Sequence, residues 1–324
     1  MRFALRHALI ASLLGAFATL GWAQGAFPAH PITLIIPFPA GGVVDNVGRL
    51  VGQSMTKTLG VTVIVENKPG AGGTLGAALV AKAKPDGYTL LVGGSATQVF
   101  GPALYKNLPY DARRDFVPIG QISSGPLVLV VGSNVPSTDV PGLVSYLKTE
   151  GSHASYASNG NGTFPHLAAE LFKQANHLST THIPYSGGPA AIIALIRGEV
   201  AFSINHIPVV QSMVKSGKIR ALATTGSARS VVFPDIPTLE EVGMKGFDAN
   251  AWWGLFAPAG TPADVVSKVN GALAVALKDP AVRAALAAQG DEAQYSSAKD
   301  FSIYVEAETQ KWTKVVKTAD LKIE

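Results

Sequence analysis

The chain repeats one pattern: a short β-branched run, a loop containing glycine, then a longer run whose apolar residues recur at helical spacing. Ile32–Ile36 is continuously apolar, Pro37–Gly42 follows, and Val43, Val47, Leu50, Val51 and Met55 then recur until Gly60. A continuous apolar run bounded by turn residues reads as a buried strand, the second pattern as an amphipathic helix, and glycine as its stop. Val61–Val65 is the next strand, Leu75–Ala83 a small-residue helix, Lys84–Gly87 a turn and Tyr88–Val92 a third strand. That β-α-β-α-β order predicts parallel strands joined by right-handed helical crossovers, with helices on both faces of the sheet.

The order resumes further on. Strands are expected at Leu127–Val131, Ala154–Ala157, Thr180–Ile183, Val200–Ile204 and Ile219–Thr224, with helices at Val140–Lys148, His166–Ala175 and Pro189–Arg197. From Pro262 the chain reads as helices, with Val265, Val266, Val269, Leu273 and Leu277 on one face and Trp312, Val315 and Val316 near the end. The fold class is therefore α/β with two lobes, each a mostly parallel sheet flanked by helices. Chain crossings are expected near Leu127–Val131 and Trp253–Ala257, with the final helices packed on the first lobe. With 324 residues, of which 47% are hydrophobic and 15% charged, the chain is too apolar for disorder and long enough for about two domains.

Composition closes several function classes. There is no cysteine, hence no disulfide framework, thiolate metal site or cysteine nucleophile. The formal net charge is +4, from 26 Lys+Arg against 22 Asp+Glu, with no basic block, so no nucleic-acid surface is expected. Two of the cations, Arg2 and Arg6, stand before the apolar stretch Ala8–Trp22, which ends in small residues. A positive start, a short apolar run and a small-residue exit make residues 1–23 a secretory signal peptide, cut after Ala23, and the run is shorter than the about 20 residues that span a bilayer.

Four glycine-containing loops join strand to helix: Pro39–Gly42, Gly93–Thr97, Asn159–Thr163 and Tyr185–Gly188. In α/β sheets such loops lie at the carboxyl ends of strands, where ligands bind. A helix start leaves backbone N–H groups without partners, and glycine lets a ligand approach them, so the loops suit anion capture from both lobes. The plain alternative is that the glycines only shape turns. His166 and His206 are candidates for the cleft or ordinary structural histidines. Asp45 and Arg49, four apart with the acid first, most simply form a helix-surface pair, and Trp252-Trp253 is either cleft wall or core. Glu240-Glu241 reads as the solvated face of a helix.

Other motifs fail. Gly70-Ala71-Gly72-Gly73-Thr74-Leu75 places leucine where a dinucleotide fingerprint needs its last glycine, and neither a P-loop nor a nucleophile elbow occurs. Asn161-Gly162-Thr163 satisfies a glycosylation sequon too short to weigh, and His177 and His182 lack metal-ligand spacing. No cofactor is expected.

The segments ITLIIPFPAGGVVDNVGR (32–49), VENKPGAGG (65–73), Pro85-Asp86-Gly87-Tyr88, Leu108-Pro109-Tyr110 and Gly160-Asn161-Gly162-Thr163 resemble the Bug family. Ile183-Pro184-Tyr185, Gly217–Ala223, Pro234–Thr238 and Ala257–Pro262 continue the resemblance in order along nearly the whole mature chain. Bug proteins are the periplasmic solute-binding proteins of tripartite tricarboxylate transporters. The resemblance implies a two-lobed periplasmic binding protein of the type II, Venus-flytrap class, with lobes at 24–128 plus 252–324 and at 129–251. It implies a small carboxylate held by the loop Phe38, Ala40, Gly41 and Gly42, with Gly41 offering its amide. Ser95, Ala96 and Thr97, and Asn159, Gly160, Asn161, Gly162 and Thr163, would complete the pocket. Asp45, His166, Tyr185, Asn205 and His206 are the further ligand-binding candidates.

Two departures matter: Val44 stands where the family often has threonine, and Asn205 where it commonly has aspartate. An aspartate there would pair with a ligand amine, so its absence favours an organic acid without one. The expected protein is a monomer that meets transporter subunits transiently and catalyses nothing. A sensor docking on a receptor kinase and an exported hydrolase are the competing readings; the missing nucleophile elbow disfavours the second.

Overall fold

The computed structural model describes residues 27–322; the expected signal peptide lies outside the described residues. Strands β1 (Ile32–Ile36), β2 (Val63–Asn67) and β3 (Thr89–Gly94) run parallel, linked by α1 (Val43–Leu59) and α2 (Thr74–Ala81). The amphipathic spacing of α1 buries Val44, Val47, Val51, Met55 and Leu59, and Gly60 ends it in the left-handed conformation, as its lack of a Cβ permits. The second half repeats the arrangement with β5 (Ser155–Ser158), β6 (Thr181–Pro184) and β7 (Phe202–His206), again parallel. Its helices are α3 (Val140–Glu150), α4 (Phe164–Asn176), α5 (Gly188–Arg197) and α6 (Ile207–Lys215).

One strand joins the halves. β4 (Phe116–Gly132) pairs antiparallel with β9 (Asn250–Pro258) through its first part, and with β7 and β8 (Ile219–Thr224) from Leu127 onward. The path runs β2-β1-β3-β9-β4-β7-β5-β6, with β8 and the short β10 (Glu292–Ala293) also on β4. Each lobe is thus a mixed sheet rather than a mostly parallel one, because the two crossing strands enter antiparallel. The crossing begins earlier than its apolar run Leu127–Val131 suggests. Residues Phe116–Pro126 contain two prolines and two glycines and read as loop, yet they pair with β9 across two register shifts, the bulges that admit proline into a sheet. Two further differences are local. A helix, α6, separates β7 from β8 where no element was expected, and Glu240-Glu241 lies in turns rather than on a helix.

The C-terminal helices α7 (Ala263–Lys278), α8 (Pro280–Ala288) and α9 (Ala298–Thr318) pack on the first lobe as expected, but α9 also reaches the second. Trp312 sits edge-on to Phe100 of lobe one (5.2 Å) and Phe164 of lobe two (5.1 Å), and Gln174 Nε2 donates to Val315 O at 2.9 Å. Buried Glu308 on α9 accepts from the indole N–H groups of Trp312 (2.9 Å) and Trp252 (3.3 Å) and pairs with Lys311 (2.6 Å). No helix among the described residues is long and apolar enough to cross a membrane.

Removing Glu308 strands two buried indole donors, each costing about 1–3 kcal/mol. Glu308→Ala is expected to lower the unfolding free energy by about 2–4 kcal/mol in urea denaturation. A change within about 0.5 kcal/mol, the range of an ordinary surface substitution, would contradict the role of that network.

Candidate functional site

A cavity of about 590 Å³, within the range of ligand pockets, lies where strands of both halves end. Its walls come from the residues after β1, β3, β5, β6 and β7, with Trp253 of β9 between the halves. A smaller cavity of about 380 Å³ beside Gln98, Arg113 and Lys317 belongs to one half alone.

Four helices begin at the larger cavity. Gly42, Val43 and Val44 open α1; Thr163, Phe164 and Pro165 open α4; Gly187, Gly188 and Pro189 open α5; His206 and Val209 flank the start of α6. None of these four starts carries a side-chain cap. Of the helices α2, α3, α7, α8 and α9, three are capped, with Asp139 accepting from Gly142 N–H, Asp279 from Ala281 N–H and Ser297 from Asp300 N–H, while α2 and α7 are not. The four uncapped starts at the cavity direct orphan N–H groups and the positive ends of their dipoles at it. Proline at the second position of α4, α5 and α6 suits the first turn and removes one donor from each.

Among the described residues, no Lys, Arg, Asp or Glu lines the cavity. Its one titratable side chain, His206, stands 6.3 Å from the Trp253 ring and is pushed down to about 4 by burial, hence neutral at pH 7. Apolar area comes from Phe38, Val43, Val44, Phe164, Val209 and Trp253. Gly94 brings Trp253 close: a Cβ there would lie 2.5 Å from the indole. Ser95 is buried at the wall, and its hydroxyl has no hydrogen-bond partner among the described residues.

Of the residues expected from sequence, the structure brings Phe38, Ala40, Gly41, Gly42, Ser95, Ala96, Asn159, Thr163 and His206 to this cavity. The others do not line it. Thr97 turns its hydroxyl to Gly94 of its own loop. Gly160 N–H donates to Ser158 Oγ and Gly162 N–H to His166 Nδ1 (3.2 Å), so His166 braces the Asn161 turn from below instead of facing the cleft. The Tyr185 ring packs beside the second-lobe core. Asn205 is buried and holds Asn159 in a reciprocal amide pair, at 2.7 and 3.1 Å, while accepting from His206 N–H. Asp45 also lies behind the wall, accepting from Gly41 N–H at 2.8 Å. The Gly41 amide is therefore already committed to a carboxylate, contrary to its expected availability; the open donors at this helix are those of Val43 and Val44. Gly41 adopts φ +78°, which only glycine enters without strain.

Sequence reading missed Val43, Val44, Phe164, Pro165, Pro189 and Val209, which resemble any residues at a helix start; the second-position proline is no guide, since α3, away from the cavity, carries one too. Trp252-Trp253 resolves into one of each kind: Trp253 at the wall, Trp252 in the core.

A family model described as "Tripartite tricarboxylate transporter family receptor" matches residues 47–321. The chain belongs to that receptor family. Protein BugT of Bordetella pertussis is 35% identical over 298 residues, covering 92% of this chain and 91% of its own. A Rhodopseudomonas palustris protein solved with adipate superposes at TM-score 0.84 with 31% identity, covering 91% of this chain and 99% of that one. MatC from Rhodopseudomonas palustris, solved with bound malate, superposes at 0.80 with 35% identity, covering 90% and 100%. This receptor shares their two-lobed α/β fold.

Beneath the Asn159–Thr163 loop, His166 and His182 stack at 3.9 Å. Burial pushes His166 down to about 4, helped by the Lys173 charge, and His182 down to about 3, helped by His166. Their ordinary value is 6.5, so the folded state binds fewer protons, and stability is lost as pH falls below that value towards 4. Asp291 runs the other way. Burial raises it from 3.8 to about 6 against the pull of Ser123 Oγ at 3.1 Å, so its contribution is full below 3.8 and lost as pH rises through 6. The histidines outnumber it. The melting temperature is expected to fall between pH 6.5 and 4, and Asp291→Asn to steepen the fall. A flat profile, or a shallower one in the variant, would contradict these placements.

Proposed function

We propose that the protein is a periplasmic receptor that closes its two lobes, 24–128 with 252–324 and 129–251, on a small organic carboxylate lacking an amine. As a monomer it hands the ligand to a tripartite-type membrane transporter, and it catalyses no reaction. The observation that carries this reading is the convergence of four uncapped helix starts on a cavity lined by no charged side chain. Each helix start is equivalent to about half a positive charge, so four of them balance about two negative charges. A dicarboxylate is the matching ligand.

The energetics agree in size. A hydrogen bond from a backbone amide to a charged group nets about 1.5–3 kcal/mol, and each dipole adds about 0.3–1. Three or four such bonds reach the roughly 8 kcal/mol of a micromolar ligand before ordering costs, which the apolar walls offset. Ser95 Oγ and the Asn159 amide, fixed by Asn205, are further donors within the wall. Malate and adipate in the related structures support the ligand class. The leader at residues 1–23 and the family support the periplasm.

In thermal-shift measurements over a carboxylate library, a ligand at 100 times its dissociation constant adds about 2.7 kcal/mol, a rise of roughly 5 °C or more for a protein of this size. No rise with any mono-, di- or tricarboxylate would overturn the function. Asn205→Asp places a buried charge directly behind the wall. Calorimetry is expected to show at least about tenfold weaker dicarboxylate binding, and unchanged affinity would refute a neutral wall at that position.

A further inference from the structure

The loop from Phe38 to Gly42 forms the rim of the cavity, and residues Pro39–Gly42 are exposed. Two of its backbone groups are held by side chains from outside it: Asn67 Nδ2 donates to Phe38 O at 3.0 Å, and Gly41 N–H donates to Asp45 Oδ2 at 2.8 Å. The two anchoring side chains are tied together. Asn67 Nδ2 also donates to Asp45 Oδ1 at 2.8 Å, Arg49 Nε to Asp45 Oδ2 at 3.0 Å, and an Arg49 terminal nitrogen to Asn67 Oδ1 at 2.9 Å. The ring closes across two elements: Asp45 and Arg49 lie one turn apart on α1, and Asn67 ends β2, the strand paired with β1 through Ile36–Asn67. Sequence spacing alone explained Asp45 and Arg49 as a surface pair, and gave Asn67 no part.

We propose that Asn67 and Arg49 are positioning residues for ligand binding: Asn67 fixes the shape of the rim loop, and Arg49 cancels the field of Asp45 so that an anion can occupy the cleft. The second half rests on the carboxylate reading of the cleft. Asp45 is buried beside an anion site, and a lone negative charge there repels an anionic ligand. It is nevertheless needed, because without it the exposed loop loses its hold on Gly41. Arg49 reconciles the two demands. Its guanidinium pairs with the carboxylate through Nε while the side chain stays half exposed, turning a monopole under the rim into a dipole whose field falls off faster. Burial pushes the Asp45 carboxyl up, but hydrogen bonds from Arg49, Gly41 and Asn67 and the Arg49 charge outweigh it, so the group stays ionised.

Two variants separate the roles. Asn67→Ala and Arg49→Gln are compared with wild type by amide hydrogen exchange at Gly41 in the unliganded protein. They are then titrated with malate and adipate, and with the monomethyl ester of each. The loop role predicts that Asn67→Ala speeds Gly41 exchange about tenfold or more and weakens diacid and monoester alike, about tenfold. The charge role predicts that Arg49→Gln weakens the dianions several-fold more than the monoesters. That gap should narrow at about 0.5 M salt, and Arg49→Lys should largely restore binding. Unchanged Gly41 exchange in Asn67→Ala overturns the loop role. Equal losses for diacid and monoester in Arg49→Gln overturn the charge role. Failure of the wild type to bind any of the four compounds would remove the anion reading and the charge role with it, while the exchange rates would still decide the loop role.

Discussion

In the proposed function an anion is held in this cleft chiefly by main-chain N–H groups, because the described residues that line it bring no fixed positive side chain. The arrangement depends on leaving four helix starts deliberately uncapped. A Ser, Asp or Asn cap stabilises a helix by about 1 kcal/mol, and the protein uses such caps on α3, α8 and α9. At α1, α4, α5 and α6 the cap position holds Gly42, Thr163, Gly187 and His206, none of which bonds its own helix through a side chain. The N–H groups that a cap would satisfy are, in the proposed function, the ones that meet the ligand, at some cost to the stability of each helix.

Aiming helices from two halves at one point requires an element that both halves share. β4 supplies it by belonging to both sheets, and its register with β7 sets Leu127 opposite His206 and Val128 opposite Asn205. On the other side of the crossing, β9 sets Trp253 opposite Gly94 and Ser123. The side chains that divide the cavity, His206 and Trp253, are therefore placed by the strands that join the lobes. Behind the cavity, Phe100, Phe164 and Trp312 pack lobe one, lobe two and the last helix together, so α9 serves as a third connection. Phe164 belongs both to that cluster and to the cavity wall.

Much of this was legible in the amino-acid order because the signals are local. Ile32–Ile36 declares a buried strand without help from the rest of the chain, and the glycine loops announce strand ends. What was hidden depends on distant partners. Phe116–Pro126 looks like a loop until β9 is set beside it, where a register shift follows Pro118 and Pro126 ends the pairing opposite Asn250. Asn67 acquires its role because β1 and β2 end side by side, a fact no spacing reveals. Gly41 lines the cavity, but the fate of its amide is decided by Asp45 one helical turn away, whose carboxylate turns back towards the loop. His166 misled because a histidine after a glycine loop suits a ligand and a brace equally well; the ring packed against it, His182, comes from another strand.

The most direct test is a crystal structure of the protein with a bound dicarboxylate. The account predicts its carboxylate oxygens within about 3.2 Å of main-chain N–H groups at the starts of α1 and of at least one of α4, α5 and α6, with no lysine or arginine nitrogen in contact. A ligand seated elsewhere, or one whose charge meets a guanidinium or ammonium group, would contradict it.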